Sequence, residues 1–469
     1  MNILTQEAVK EEVERQLLKE TTLKDLINPS NPSFSIDNYS SLITDTSNLI
    51  YQLIRDSIIV LLEKMDDNFR YSNDRINRYY VKVKRPRTLI TPIGIITYSR
   101  TIYQSRIDSS IYIHIDERLG LPKYDRYDPL VKSMIVEYYA NNNSMLKVGK
   151  LIGDRIYSPY SVDSNREHYC ISRQTVFNTL RKTGEFIFTP KSVNYLVEEL
   201  IIMADEKYIA TQGNNRKKTM VKAATIFESM TTEGSRRKLI NKHVYLHRGN
   251  NFWDNIQDII HNKYQLSKIK KIHILGDGAS WIKTGVSELR TSDTETTFSL
   301  DKFHYKQAIN RITSNKEIKE KLINYIENDD MDNFRKLTKS IIKDKSLSLK
   351  SSKGNIRYII NNWQYILNMI YTIKIPCSME SAISHNLASN FTSVPKAYNT
   401  GNLKTYINHR RHYLNNYDLR QLYLESLKVS LIKNKRDLDP KLDFSMFDSK
   451  PQYDKSSNSN WVKGFIARN

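Results

Sequence analysis

The sequence predicts a mixed α/β protein, rich in helix, with one sheet domain in the second half of the chain. Short β-branched and apolar runs follow one another between residues 195 and 276, and one helix-like stretch interrupts them. On both sides of this block, apolar residues recur at the spacing of amphipathic helices. The 469 residues are enough for two or three domains and a sizeable core.

The first two regions are predicted to be helical and then β-structured. Residues 1–75 carry helically spaced apolar residues and are expected to form a packed helical region, which could serve in oligomerisation. Residues 76–128 change to β-branched and aromatic runs, and Pro92-Ile93-Gly94 predicts a hairpin turn. The residues that line this hairpin include Lys82, Lys84, Arg85, Arg87 and Arg100. A basic ribbon can contact phosphates, but a solvated sheet face is the commoner explanation.

Residues 129–190 are predicted to be helical and to contain a possible helix-turn-helix. Ser172 would cap a helix whose Val176, Phe177 and Leu180 form a buried stripe. A DNA-reading helix needs outward polar and cationic groups, and these would be Arg173, Gln174, Asn178, Arg181 and Lys182. The alternative is an ordinary amphipathic surface helix. It is favoured by the distance to the preceding helix, about twenty residues, whereas a helix-turn-helix usually has a short turn.

Residues 191–300 hold the first part of the sheet domain. Leu200–Met203 predicts an apolar strand that ends in Asp205, and the strands MVKAATIFESM and KHVYLH follow it. After the helix Phe252–Tyr264 comes the strand KIHILG, which runs into Asp277. The order β-β-β-α-β, with acids on the first and fourth strands, is that of ribonuclease-H-like folds. Strands one and four are central neighbours in such a sheet, so we expect Asp205 and Asp277 side by side.

Gly276 and Gly278 flank Asp277. Glycine permits a sharp turn and the close approach of another group to the backbone. We therefore expect the two glycines to let a metal ion and a scissile phosphate approach the strand end, where open α/β sheets bind ligands. Taken alone, an aspartate in this position is more often a turn or helix-cap residue.

The remaining regions are predicted to be mostly helical. Residues 301–373 form a charge-rich helical insertion, and residues 374–434 return to the sheet domain. Residues 435–469 are rich in Asn, Ser and Lys and are expected to be poorly ordered. Glu380 falls in the first turns of a helix that follows Pro376.

A later basic helix carries HRRH at positions 409–412. Its Arg410 and Arg411 are further candidate DNA contacts, because cations in nucleic-acid-binding proteins neutralise phosphates.

Asp205, Asp277 and Glu380 together have the chemistry of a metal site. Hard divalent cations such as Mg²⁺ prefer carboxylate oxygens. Two such ions, about 3.5–4 Å apart, can activate a nucleophilic oxygen and stabilise the leaving oxygen of a phosphoryl displacement. These three acids are therefore the catalytic and metal-binding candidates, and no nucleophilic Ser or Cys is required.

The charge balance favours a polyanionic partner. Lys and Arg number 72 against 51 acids, which gives a net charge of +21. An AT-rich genome would raise the lysine content, but that bias alone does not explain the excess. The two cysteines show no zinc spacing and fit a reducing cytosol. The charged start is unlike a secretory signal, and no apolar run is long enough to span a bilayer, so we expect no membrane association.

Four segments carry a family resemblance: MADEKYIATQ, HILGDGASWIKTG, LDKFHYKQAI and SMESAISH. In this order they resemble the ISLre-type family of bacterial insertion-sequence transposases, in the Mutator-like branch of the DDE transposases. The resemblance covers about residues 75–410. One departure is NFTSVPKAYNTGN, which starts at Asn390 and has a single cation, Lys396, and no Trp. Relatives often carry Arg, Lys and Trp there.

The resemblance implies that Asp205, Asp277 and Glu380 are the DDE triad and hold two Mg²⁺ or Mn²⁺ ions. It also implies that Asp301 and His304 form the D-x-x-H signature of this branch. The expected partner is double-stranded DNA, as terminal inverted repeats and as target, bound by a homo-oligomer. The expected location is the bacterial cytoplasm, at the nucleoid.

The function expected from these features is DNA transposition. The protein would bind the ends of its own element, cleave a strand to free a 3′-hydroxyl, and use that hydroxyl in strand transfer. One alternative is a ribonuclease-H-like nuclease or resolvase without strand transfer. The other is a domesticated DNA-binding protein that does not cut.

Overall fold

The structure is a computed structural model, and it describes most of the chain between residues 36 and 438. The described ranges are 36–157, 171–186, 195–212, 218–234, 236–344, 347, 349–372, 379–393 and 396–438. The chain divides into two compact units, Met1–Leu424 and Glu425–Asn469. Every site discussed below lies in the first unit. No helix within the described ranges is long and apolar enough to cross a membrane.

The amino-terminal part packs one long helix on a hairpin. Its elements are α1 (Ile36–Arg70), α2 (Asn73–Arg78), β1 (Tyr79–Thr91), β2 (Gly94–Ser105), β3 (Ile111–Tyr112) and α3 (His114–Leu119). The predicted hairpin is confirmed, because β1 and β2 pair antiparallel from Tyr79 opposite Ser105 to Thr91 opposite Gly94. The long helix α1 lies on β2. The buried core between them consists of Leu62, Leu89, Ile96, Tyr98, Ile115 and Leu121.

Three helices follow, as predicted: α4 (Pro129–Asn142), α5 (Met145–Tyr157) and α6 (Arg173–Thr183). Asp128 caps α4 by accepting a hydrogen bond from the Leu130 amide at 2.6 Å, and Pro129 occupies the first helical position, where its missing N–H costs nothing. The three helices pack against one another. Residues 158–170 lie outside the described residues.

The central sheet contains β4 (Glu199–Ala210), β5 (Lys218–Phe227), β8 (His243–His247), β9 (Lys271–Gly276) and β10 (Glu295–Leu300). Their order is β10-β9-β4-β5-β8. The three strands β4, β5 and β8 are antiparallel, whereas β4, β9 and β10 run parallel. The predicted adjacency of the first strand and the strand that precedes Asp277 is therefore confirmed.

The expectation of three strands in direct succession was incomplete. A separate hairpin, β6 (Ser229–Glu233) with β7 (Arg236–Ile240), lies in the chain between β5 and β8. The described side chains of β6 are mostly exposed. The sequence SMTTE has no buried face whose alternation would have revealed a strand.

One face of the sheet is covered by helices that come from both sides of the predicted insertion. They are α7 (Phe252–Lys263), α8 (Ser280–Lys283), α9 (Gly285–Leu289), α10 (Lys302–Asn310), α11 (Lys316–Glu327), α12 (Met331–Lys343), α13 (Ser352–Asn361) and α14 (Trp363–Tyr371). Ile202 and Ile274 of the sheet share one buried core with Leu322, Phe334 and Ile366 of the insertion. Residues 301–373 are therefore built into the sheet's own core and do not form a lobe apart from it.

The opposite face is covered by the helices after the insertion. These are α15 (Met379–Ile383), a π-helical segment (Ser384–Ala388), α16 (Ser389–Phe391) and α17 (Thr400–Leu414). The helix α18 (Leu419–Leu438) follows in the chain and continues into the second unit. The short helix α15 packs on β4 and β5, and α17 packs on β8. Because side chains alternate along a strand, Met203 and Leu275 point to this face, and both are fully buried. Beyond Leu438, the predicted tail lies outside the described residues.

Candidate active site at the end of the central parallel strands

The two aspartates lie at the same level along the central strands β4 and β9. The last parallel pair of β4 and β9 is Met203 opposite Leu275. Two residues further along each chain come Asp205, which is still within β4, and Asp277, which is one residue past the end of β9. Strand alternation directs the Asp205 side chain toward the face that α15 covers. The strand β4 does not end at Asp205, as the sequence predicted, but continues to Ala210 while paired with β5 alone.

The Asp205 carboxyl is electrostatically perturbed. Burial, together with the negative charge of Asp277, raises its pKa to about 6. The hydrogen bond from the Glu206 amide, at 2.6 Å, and the nearby His304 act in the opposite direction. The site therefore holds two carboxylates close together in a half-buried position, an arrangement that favours a bound cation.

The turn at Asp277 is held from three directions. Its Oδ1 accepts a hydrogen bond from the Ala279 amide at 2.9 Å. Its carbonyl oxygen accepts one from the Tyr358 hydroxyl, in the helical insertion, at 2.6 Å. The next residue, Gly278, has φ +91°, a conformation that favours glycine. Asp277 is therefore both a turn residue and an active-site candidate.

The expected role of the two glycines needs correction. A Cβ on Gly276 would lie 2.9 Å from the carbonyl oxygen of Ala204 and 2.9 Å from a methyl group of Ile282. A Cβ on Gly278 would lie 3.1 Å from Leu300 and 3.2 Å from Asn362. The space beside each glycine is thus filled by protein. The glycines allow neighbouring segments to pack closely, and they do not open room for a metal ion or a phosphate.

Asp301 and His304 lie beside the two aspartates. The Asp301 amide donates to the carbonyl oxygen of Gly276 at 3.0 Å, which places the start of α10 against the end of β9. The Asp301 side chain is buried and caps α10 by accepting from the Phe303 amide at 3.2 Å. One turn later, His304 is close enough to act on the charge of Asp205. The D-x-x-H pair therefore borders the same site.

Glu380 is carried toward this site by its helix. It lies in α15, which packs on β4, the strand of Asp205. The position of the Glu380 side chain is outside the described residues. Among the side chains that are described, no three or more His, Cys, Asp or Glu residues form a cluster that could hold a metal ion. Asp205 and Asp277 are thus two carboxylate ligands that fit a divalent cation, and a third would have to come from Glu380.

Several neighbours of the site had no signal in the sequence. Lys283 donates from Nζ to Asn362 Oδ1 at 2.7 Å. Burial lowers its pKa, and the charge of Asp277 partly offsets this. On the other side, Trp281 donates from Nε1 to the Glu206 carboxylate. Lys283 and Trp281 follow Asp277 closely in the sequence, so their position in the chain could have suggested them. It could not have suggested their hydrogen-bond partners, Asn362 and Glu206.

The predicted DNA-reading helix has the expected surface. Ser172 caps α6 by accepting from the Thr175 amide at 3.1 Å, and Val176 and Leu180 are fully buried. The five predicted DNA contacts are all exposed, namely Arg173, Gln174, Asn178, Arg181 and Lys182. Their use in reading DNA stays a prediction, as does the helix-turn-helix.

Arg410 and Arg411, in contrast, are not available to DNA. Both are buried in α17. The Arg410 guanidinium donates to the carbonyl oxygens of Ala140, His385 and Asn386 at 3.1–3.2 Å. Arg411 lies over the ring of Tyr245, 5.1 Å from its centroid. The expectation that they contact phosphates was wrong, because backbone carbonyls and an aromatic ring already occupy these cations.

Comparison with known proteins assigns the chain to a family. Residues 34–428 match an uncharacterised protein family, UPF0236. The chain belongs to UPF0236. One UPF0236 relative, from Caldanaerobacter subterraneus subsp. tengcongensis, is 27% identical over 400 residues, which cover 82% of this chain and 80% of the relative. Its name joins eleven locus designations from that organism. Another relative from the same organism is 28% identical over 397 residues, or 82% of this chain and 76% of the relative.

Proposed function

We propose that this UPF0236 protein is a DDE-type DNA transposase that binds the ends of its element and carries out metal-dependent strand cleavage and strand transfer. The observation that carries the proposal is that Asp205 and Asp277 each follow the last parallel pair of β4 and β9 by two residues, and that the charge of Asp277 acts on the Asp205 carboxyl. The raised pKa of Asp205 supports it, because perturbed carboxyls cluster at functional sites.

The topology supports a ribonuclease-H-like catalytic domain. Numbered along the chain without the β6–β7 hairpin, the central strands lie in the order 3-2-1-4-5. Strands one to three are antiparallel, and strands one, four and five are parallel. This is the arrangement expected of that fold, with the first and fourth strands at the centre.

Asp205, Asp277 and Glu380 are the residues that would hold the Mg²⁺ or Mn²⁺ ions. When bound, two such ions supply charge stabilisation to an in-line displacement at a phosphodiester. The chain's own residues fix the ligands: the Glu206 amide orients Asp205, and the Ala279 amide and Tyr358 hydroxyl hold the Asp277 turn. Lys283 adds an amino group and His304 an imidazole beside the carboxylates.

The proposed partner is double-stranded DNA, bound by a homo-oligomer in the bacterial cytoplasm. A net charge of +21 favours a polyanion, and α6 offers exposed Arg, Lys, Gln and Asn side chains. The eleven locus designations of one relative support a mobile element, since such elements multiply within a genome. The resemblance to ISLre-type transposases points to the same activity.

The test is a cleavage and joining assay with full-length protein, Mg²⁺ and duplex DNA taken from the flanks of the gene, where the element's inverted repeats would lie. Wild-type protein should give both nicked and joined strands. Asp277→Asn should lose at least about a hundredfold in rate, because a lost ligand removes charge stabilisation of the transition state. Asp293→Asn, an exposed acid in the loop before β10, is the control and should keep full activity.

The outcomes also separate the alternatives. Cleavage without joined products would point to a nuclease or resolvase. DNA binding without any metal-dependent cleavage would point to a non-cutting regulator. Full activity of Asp277→Asn would overturn the proposed mechanism.

A further inference from the structure

The open end of the β1–β2 hairpin, opposite its turn, exposes cations beside aromatic and aliphatic side chains. We name this the hairpin-end surface and define it by Tyr80, Lys82, Arg85, Arg106 and Ile107. All five side chains are exposed, with Tyr80 at 55% and Ile107 at 94%. Large apolar groups left in solvent beside unpaired cations are unusual enough to suggest a binding surface.

Two other cations of the hairpin serve the fold and are not part of this surface. Arg87 donates to Asp116 at 2.6 Å, and Arg100 pairs with the same carboxylate. Both side chains are buried or nearly so. Because both side chains are held inside the fold by Asp116, they are not available to a partner.

The cations of the hairpin-end surface are not neutralised in this way. Within the described ranges, Lys82 and Arg85 form no ion pair. Nearby Lys84 approaches Asp67 at 3.5 Å, but both side chains are substantially exposed. Such surface pairs contribute little and exchange readily for another anion. The surface therefore carries a net positive charge.

The surface is also rigid and has a fixed aromatic component. The Arg106 guanidinium lies 3.8 Å from the centroid of the Tyr80 ring. Beneath it, Tyr79 stacks on Tyr112 with centroids 4.6 Å apart, and Phe69 packs edge-on against Tyr103 at 5.3 Å. A rigid base lowers the entropy lost when a ligand binds.

The dimensions suit a nucleic-acid backbone. From Tyr79 to Arg85, β1 extends for ~20 Å at ~3.3 Å a residue. Along the helix axis, one strand of DNA carries a phosphate every ~3.4 Å, so this length matches the axial rise of about six nucleotides. Cations could meet phosphates while Tyr80 contacts sugars, a combination that a purely acidic peptide does not require.

We propose that the hairpin-end surface binds the backbone of double-stranded DNA, independently of base sequence. The identity of the polymer rests on the proposed function, in which DNA is the substrate. None of the residues involved belongs to the acidic site or to α6, so the surface adds a separate contact.

The test compares the full-length double variant Lys82→Gln/Arg85→Gln with the matched variant Lys336→Gln/Lys339→Gln. The control lysines are exposed on α12, and their substitution removes the same amount of positive charge. Affinity for a linear duplex is measured by fluorescence anisotropy between about 50 and 200 mM salt. The hairpin variant should bind at least about tenfold more weakly at low salt, and its log–log salt slope should fall by about 1.8, because each phosphate contact contributes about 0.9.

A third variant, Tyr80→Ser, measures the contribution of the aromatic side chain to DNA affinity separately from that of the cations. It should weaken binding several-fold with the salt slope unchanged, because tyrosine neutralises no phosphate. Thermal unfolding of all variants shows whether the hairpin remains folded.

Three results would overturn the inference. One is a hairpin variant whose affinity and slope equal those of the α12 control. Another is a hairpin variant that no longer binds polyglutamate but binds DNA as the wild type does. That result would assign the surface to an acidic protein. The third is a wild-type protein that does not bind duplex DNA. Failure of the proposed function looks different, since wild-type protein would then bind duplex through this surface but never cleave it.

Discussion

Asp205 and Asp277 lie two residues beyond Met203 and Leu275, the last parallel pair of the two central strands. The relationship follows from the register, and the charge of Asp277 contributes to the raised pKa of Asp205. Since like charges are held together in a half-buried place, the protein should pay in stability for this arrangement unless a cation neutralises it.

Asp205→Asn should stabilise the cation-free protein at neutral pH. Below the unfolded-state pKa of 3.8 the Asp205 carboxyl is protonated in both states and contributes nothing. Between the unfolded-state pKa of 3.8 and the folded-state pKa of about 6, the unfolded chain loses this proton while the folded protein keeps it, so the free energy of unfolding falls across this window and the loss is complete above it. The full penalty is on the order of 3 kcal/mol, at ~1.4 kcal/mol per pKa unit.

The free energy of unfolding of wild-type and variant, measured with a chelator present, tests this. The gain in the free energy of unfolding of Asp205→Asn over wild type should be present at about pH 7.5 and absent near pH 3. Asp293→Asn should show no such pH dependence. An Asp205→Asn protein that is less stable than wild type at neutral pH would contradict the burial and charge arguments.

Gly276→Ala should destabilise the protein and disturb the site. The new methyl group would meet the Ala204 carbonyl oxygen and Ile282, both at 2.9 Å, so β4 and β9 would have to move apart. We expect a loss of roughly 1–3 kcal/mol in the free energy of unfolding.

Gly354→Ala is the matched control. Gly354 lies in α13 with nothing within 4 Å of the added Cβ. Alanine should there stabilise the protein by up to about 1 kcal/mol. Equal effects of the two substitutions in urea unfolding would show that close strand packing is not what Gly276 provides.

Trp281→Phe should loosen the link between the two aspartate-bearing segments. Trp281 joins Glu206, the residue after Asp205, to the helix that follows Asp277, and Trp253 in turn donates to the Trp281 carbonyl oxygen at 2.7 Å. Phenylalanine keeps a ring but loses the N–H, so we expect a cost of about 1–3 kcal/mol in urea unfolding. Unchanged stability would mean that the Glu206 carboxylate does not need this donor.

Arg410→Gln should affect folding and not DNA binding. The substitution leaves three carbonyl oxygens, those of Ala140, His385 and Asn386, without their charged donor. We expect a loss of roughly 3 kcal/mol in the free energy of unfolding, with the salt dependence of DNA binding unchanged. Arg181→Gln, on the exposed face of α6, should leave the free energy of unfolding unchanged and reduce the salt dependence of DNA binding. A shallower salt slope in Arg410→Gln would restore the original expectation of a DNA contact.

The central strands were predictable because their sequences are apolar, short and separated by turn residues. Strand order then placed Asp205 beside Asp277, and helical periodicity identified Val176 and Leu180 as buried in α6, although Phe177 of the predicted stripe is only half-buried. These features depend on local patterns, which a single sequence displays directly.

Other features depend on long-range packing and could not be read in this way. The charge of Arg410 suggested a surface position, yet backbone carbonyls of two distant segments surround it. The insertion was predicted to be helical and charge-rich, but its sequence did not show that its apolar stripe completes the sheet's core. The contact of Tyr358 with the Asp277 carbonyl joins residues 81 positions apart, and nothing in either local sequence indicates it.

Binding of Mn²⁺ to the full-length protein, followed by titration calorimetry without DNA, tests the central claim most directly, because it examines the acidic pair without relying on activity. Wild-type protein and Asp293→Asn should bind Mn²⁺ alike. Asp205→Asn and Asp277→Asn should each weaken binding at least about tenfold, because the loss of one carboxylate removes a hard-oxygen ligand. Equal Mn²⁺ affinity in all four proteins would contradict the assignment of Asp205 and Asp277 as a metal-binding pair.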